Sequence, residues 1–195
     1  MNEAPGDDPA VALGQIQAAD PAFDLETFKR NAVATFLAAK QAIQDRDVIP
    51  VEGMIDGTAM DGMREEVSGL TARGAVRHYD GLSPTEVSVV AAKAGPQSDA
   101  ITLRIRASAV QGLVPEDSGP DWGSGVPTVF TEFWTFSRPP IVSSVAARSE
   151  CPTCGAPIGI DTGRICRYCG TLLPPPQAES DWMVIAIEPA RENTD

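Results

Sequence analysis

Residues 151–170, CPTCGAPIGIDTGRICRYCG, hold all four cysteines of the chain as two Cys-x-x-Cys pairs with eleven residues between them. Each pair, Cys151 with Cys154 and Cys166 with Cys169, can wrap two thiolates around one cation. The glycine after each pair, Gly155 and Gly170, permits the positive φ that such a turn requires, and the intervening segment can fold back as a hairpin. The spacing predicts a zinc ribbon. Four thiolates fill a tetrahedral Zn2+ sphere and leave no open position for water or substrate, so the ion is expected to be structural. Iron fits the same cage and would mean electron transfer. A redox Cys-x-x-Cys usually comes singly near a βαβ pattern, and paired disulfides need an oxidising compartment, for which no export signal is visible.

The net charge of −12 is spread along the chain, which disfavours nucleic acid because a phosphate-binding surface needs clustered Lys and Arg. Arg148, Arg164 and Arg167 do gather around the cysteines. Their plainest task is to offset the double negative charge of a zinc tetrathiolate, the other reading being contact with an acidic ligand. A length of 195 residues with 43% apolar content suits one ordinary domain with a small appendage. No run approaches the roughly 18 apolar residues that span a bilayer. The start, MNEAPGDDPA, carries acids where a signal peptide has a basic region, so a cytoplasmic location is expected. Frequent Arg, Ala, Gly and Asp point to a GC-rich bacterial coding bias.

Residues 1–19 read as a flexible lead-in with one helical turn at Val11–Gln17. Asp24 then offers an N-cap, with Phe23 and Phe28 as a hydrophobic staple. Phe28, Ala32, Phe36, Ala39 and Ile43 recur at helical spacing and predict a long amphipathic helix ended by Asp45-Arg46-Asp47 and Pro50. A second helix is predicted over Ile55–Leu70 with Met60, Met63, Val67 and Leu70 inward. Its methionines are core filler or the adaptable lining of an apolar groove. After Gly74 the period becomes two. Strands are predicted over Ala75–Asp80 and Glu86–Lys93 around a turn at Gly81-Leu82-Ser83-Pro84, then over Ile101–Val110 and Thr128–Ser137. Residues 111–127 read as a long loop whose Trp122 is either tucked back or exposed as a contact anchor. Asp181–Glu188 is predicted to pair with Thr128–Ser137, so that the ribbon, residues 148–173, is an insertion within a domain of residues 20–140 and 180–189, with 190–195 as a fraying tail. The class is α+β, with helices packed on one face of a curved antiparallel sheet.

Asp20-Pro21-x-Phe23 with Phe28 and Phe36, the Met63–Gly74 helix end, and Glu132-x-Trp134-Thr135-Phe136-x-Arg138 resemble the Tim-forty-four-like domain family, as does a CPxCGAP ribbon placed before a final Asp-Trp strand. The resemblance spans residues 20–188. It implies the cone of the nuclear-transport-factor-two-like (cystatin-like) fold, an apolar pocket at its mouth, a scaffold role near a membrane, and so a position at the membrane's inner face. The acidic lead with Asp7 and Asp8 departs from the family's member in the mitochondrial inner-membrane translocase, whose scaffold subunit has basic amphipathic helices ahead of the domain, and an acidic surface does not seek anionic lipid.

The expected function is a non-catalytic binding or scaffold module holding a lipid, another hydrophobic small ligand or a protein partner. Met60, Met63, Leu103, Ile105, Trp134 and Phe136 are the candidate pocket lining. The alternative is an isomerase- or hydrolase-type enzyme of the same superfamily. Its candidate titratable residues are Asp56, Asp61, His78 and Tyr79, and they form no nucleophile–base or metal–water constellation.

Overall fold

The computed structural model describes residues 8–117, 125–138, 154–157, 168–170 and 182–190. Its central helix, α2 (Leu25–Asp45), forms for the reasons its sequence states. Asp24 accepts from the Thr27 backbone N–H at 2.7 Å, and Phe23 packs on Phe28 with ring centroids 5.9 Å apart. The stripe Phe28, Ala32, Phe36, Ala39 and Ile43 is buried along one side. The helix stops where Arg46 enters the left-handed region at φ 57° and its N–H turns back to the carbonyls of Ala42 and Ile43.

The mobile lead-in expected over residues 1–19 is corrected from residue 9 onward. Pro9–Ala19 is helix α1, started by Asp8, whose side chain accepts from Ala10 N–H at 3.0 Å, and by Pro9 in the first turn. Ala12 and Ile16, one turn apart, are buried against the core, and the helix lies on the first strand. Two small anchors were too faint a signal among the surrounding Ala, Pro and Asp. A 3-10 turn at Ile49–Val51 buries Val51 and leads to α3 (Gly57–Ala72), capped by Asp56. There Ala59, Met60, Met63 and Leu70 are buried, while Val67 is half-buried.

Four strands follow: β1 (Ala75–Lys93), β2 (Asp99–Pro115), β3 (Thr128–Arg138) and β4 (Met183–Pro189), in the order β1-β2-β3-β4, each antiparallel to its neighbour. The two short strands expected across 75–93 are one. Gly81, at φ 63°, adds a residue to the ladder between Asp80 and Ser83, so the chain bulges and bends without reversing. Pro84 is tolerated because β1 is an edge strand. Pairing with this long strand also carries β2 past Val110 to Pro115, into what was read as loop.

Alternation places Ile101, Leu103, Ile105 and Ala107 of β2 and Trp134 and Phe136 of β3 against the helices, where all are buried, giving the α+β layer of three helices on a curved sheet. The expected β3–β4 pairing is present, Trp134 opposite Ile187 and Phe136 opposite Val184. Residues 139–182 therefore connect two hydrogen-bonded neighbours. The free side of β4 is partly closed: Val184 N–H donates to Met54 O and Asp56 N–H donates to Val184 O, both at 2.9 Å.

Candidate functional site

At the end of the domain where α2 begins, small residues on the helix leave room beside large ones on the sheet. Ala32 and the half-buried Thr35 on α2 face Phe136 of β3 and Trp182, the residue before β4. Phe28 and Met54 complete the walls of a groove of about 380 Å³, with Asn31 at its rim. Aromatic packing keeps it in shape: Trp182 lies 5.1 Å from Phe28 and 6.0 Å from Phe23, and Phe28 meets Phe136 edge-on at 5.3 Å. Met54 is 41% exposed, so one wall is an adaptable thioether open to water.

Beneath this aromatic cluster sits Arg138, 4% exposed at the last position of β3. Its Nη1 donates to Asp20 Oδ2 at 2.7 Å and its Nε to Asp99 Oδ2 at 3.3 Å, tying the α1–α2 junction to the start of β2. The guanidinium carbon stands 4.7 Å from the Trp182 ring centroid and 5.6 Å from that of Phe23. Two buried donors here, Arg138 Nη2 and Trp182 Nε1, have no acceptor among the described residues.

A second charge cluster lies farther along α2. Lys40 Nζ donates to Glu132 Oε1 at 2.6 Å, and Trp134 Nε1 donates to Glu132 Oε2 at 3.0 Å. The ammonium lies 5.4–5.7 Å from the ring centroids of Phe36, Tyr79 and Phe130. Burial pushes the Tyr79 phenol above its ordinary range; the Arg77 charge opposes this, and the charges of Glu66 and Glu132 add to it.

The Tim44-like domain family matches residues 10–148, well over half of the chain. The chain belongs to the Tim44-like domain family. A search of curated proteins found no match. Among solved structures, the intermembrane space region of the chloroplast protein ARC6 is similar at a TM-score of 0.43 and 14% identity, covering 60% of this chain and 87% of that one.

Two of the sequence segments that carried the resemblance to Tim44-like domains are partners in space. Asp20 and Phe23 of the first meet Arg138 of the second, while Glu132 and Trp134 of the second form the cluster with Lys40. The six candidate pocket residues divide between the core and this groove. Met60, Met63, Leu103, Ile105 and Trp134 are buried in the packed core, and of the six candidate lining residues Phe136 alone reaches the groove. Phe36, with its ring 5.5 Å from Trp134, fills the middle of the sheet, and the groove lies beside Ala32. Phe28, Met54 and Trp182 were visible singly, as a helix stripe, a methionine and a strand residue, and nothing local announced that they converge.

Among the titratable candidates, Asp56 caps α3, and Asp61 is exposed 3.7 Å from Arg64. His78 is half-buried on β1 opposite Gly112. None of the three lines the groove. Trp122, Cys151 and Cys166 fall outside the described residues. Cys154 and Cys169 are exposed, and Gly155 and Gly170 after them have φ of 69° and 71°. Among the described residues no group of three or more His, Cys, Asp or Glu could hold a metal, and no helix is long and apolar enough to cross a membrane.

Proposed function

We propose that this Tim44-like domain is a non-catalytic binding or scaffold module whose groove, walled by Phe28, Ala32, Phe136 and Trp182, takes up an apolar group of a lipid, a small ligand or a partner protein. The groove carries this reading. Its walls are largely aliphatic and aromatic with Asn31 and Thr35 as polar groups, its volume of about 380 Å³ falls within the range of small-ligand sites, and the partly exposed Met54 gives it one adaptable side. The enzyme alternative has no comparable support, since Asp56, Asp61 and His78 stand apart from the groove. Peripheral contact with a membrane surface belongs to the same reading, with the inner face of the cytoplasmic membrane as the place.

Native mass spectrometry of the purified protein, together with capture of partners by an immobilised chain, tests this proposal. Asn31→Trp puts an indole at the rim of the groove and is expected to abolish co-purified ligand or partner capture while leaving the melting temperature unchanged. Undiminished capture by that variant overturns the reading.

The module also carries a structural zinc ribbon, held by Cys151, Cys154, Cys166 and Cys169. What supports it is the spacing of the thiols together with the left-handed turns at Gly155 and Gly170, the conformation that lets backbone amides approach a metal-bound sulfur. The ribbon would lie in the connection between β3 and β4, where a metal cross-link holds a segment too small to fold alone. Elemental analysis is expected to find one zinc per chain. Removal by a strong chelator is expected to free four titratable thiols and to lower the melting temperature. A metal-free protein with its sulfurs joined to each other, or bound iron, overturns the assignment.

A further inference from the structure

We infer that the groove receives the apolar anchor of a basic partner segment, a stretch of protein in which leucine-like side chains stand among Lys and Arg; this deepens the binding-module reading by naming the partner's chemistry, and rests on it. The apolar surface does not stop at the groove. Met54 of its wall is 41% exposed, and the elements that meet there carry further exposed aliphatic side chains. Ile49, 72% exposed, opens the 3-10 turn that leads to Met54. Ile185 follows Val184, whose backbone bonds to Met54 and Asp56, and Leu37 lies one turn along α2 from Ala34 of the lining. A single exposed aliphatic residue is ordinary. Several bordering one concave apolar site give a footprint suited to a partner helix or strand rather than to a small ligand alone.

Charge selects which partner. Gly53 and Met54 form one side of the groove, and the chain that carries them, residues 45–61, has five carboxylates and one arginine, a third of the net charge of −12. Arg46 is tied to Glu116, and Arg64 lies across Glu52 and Asp61, so Asp45, Asp47 and Asp56 have no cationic partner among the described residues. Consecutive Cα atoms are about 3.8 Å apart, which puts Asp56 within about 8 Å of Met54 along the backbone and Glu52 directly beside Gly53. Those separations are no longer than the screening length of about 8 Å at physiological salt, so the field reaches the mouth. On the α2 side the charges balance, Lys29 bonding to Glu26 and Arg30 lying near Asp24. A fatty acid, an anionic lipid head or a second copy of this acidic chain brings like charge to that mouth. A segment with Lys or Arg beside its anchor is drawn to it, and the anchor meets the apolar walls.

Isothermal titration of the full chain at neutral pH and low salt decides the matter with four probes. They are a short blocked peptide of leucine and lysine, its counterpart with glutamate for lysine, its counterpart with serine for leucine, and dodecanoate. The leucine–lysine peptide is expected to bind at least tenfold more tightly than any of the others and to weaken at least tenfold on Asn31→Trp. E52Q/D56N, in which asparagine still caps α3, is expected to weaken it about tenfold with little change in melting temperature. Vesicles of phosphatidylglycerol are expected to leave the protein in the supernatant. Equal binding of the lysine and glutamate peptides, undiminished binding with serine for leucine, or an affinity unmoved by Asn31→Trp or by E52Q/D56N overturns the inference. Tighter binding of dodecanoate, or sedimentation with the vesicles, that is lost on Asn31→Trp also overturns it and leaves the binding-module reading standing. If no probe binds, the inference falls, and partner capture by the Asn31→Trp variant decides the binding-module reading separately.

Discussion

Helix α2 borders two buried charge clusters, and they are finished in different ways. Around Lys40 every group is matched: the ammonium has Glu132 and three aromatic rings, and the second carboxylate oxygen has the indole N–H of Trp134. Around Arg138 the two carboxylates are matched, but one guanidinium nitrogen and the indole N–H of Trp182 are not. The closed cluster sits against the packed middle of the sheet and the open one beside the groove. A satisfied network specifies one arrangement of the core, whereas an incomplete one leaves buried donors whose desolvation is not repaid.

The largest effects that test this contrast come from removing the cation of either cluster. Lys40→Met strands Glu132 as a buried carboxylate and is expected to cost about 3–5 kcal/mol in chemical denaturation. The pair K40M/E132Q is expected to recover most of that loss, because the glutamine oxygen still accepts from Trp134. Arg138→Met is expected to cost no less, because it strands two carboxylates, Asp20 with its side chain 14% exposed and Asp99 with 7%, against 15% for Glu132. A loss for Arg138→Met well below that for Lys40→Met would show that water already reaches the Arg138 cluster.

A finer measurement compares the two indoles. Trp134→Phe and Trp182→Phe remove the same volume, one from the packed core and one from the wall of the groove, so both the cavity and the N–H weigh more heavily at Trp134. Trp134→Phe takes a donor from a buried carboxylate, while Trp182→Phe removes a donor that had no acceptor. The first is expected to be more destabilising than the second by about 1–3 kcal/mol. Indistinguishable melting curves would show that Trp182 N–H is satisfied in solution, and the open cluster would be closed.

How far the fold could be read from the chain follows the same division between local and distant causes. Helix α2 was legible because its cap, its staple and its stripe all lie within one segment. The pairing of β4 with β3 was legible because DWMVIAIE is too apolar to stand alone and β3 is the strand before it. At Gly81-Leu82-Ser83-Pro84 the local signals spelled a turn, but the register with β2 runs through them, and only a partner strand reveals a bulge. The groove was not legible for a related reason. Methionines on α3 suggested an adaptable lining, whereas the actual walls join Phe28 to Trp182, residues far apart in sequence whose meeting depends on the whole sheet. Asp20 and Arg138 stood in the segments that carried the family resemblance, and only the fold shows that they bond to each other.

The smallest test concerns the completeness of the closed cluster and can be read by titration. Tyr79 lies under Lys40, its backbone N–H donating to Gln44 Oε1 at 3.0 Å, and burial raises its phenol above the ordinary pKa of about 10. A folded-state pKa above the unfolded one means that between the two values the folded chain holds a proton which the unfolded chain has released. The stability due to this group is therefore whole below about pH 10 and is lost as pH rises toward the folded value. The chain has two tyrosines, so Tyr168→Phe leaves Tyr79 as the single phenol. In that variant phenolate absorbance is expected to stay flat through pH 10 while the protein remains folded, with the denaturation midpoint falling from pH 10 upward. A phenol that ionises at its ordinary value in the folded chain would mean that water reaches the rings around Lys40, and the cluster taken here as sealed would have an opening of its own.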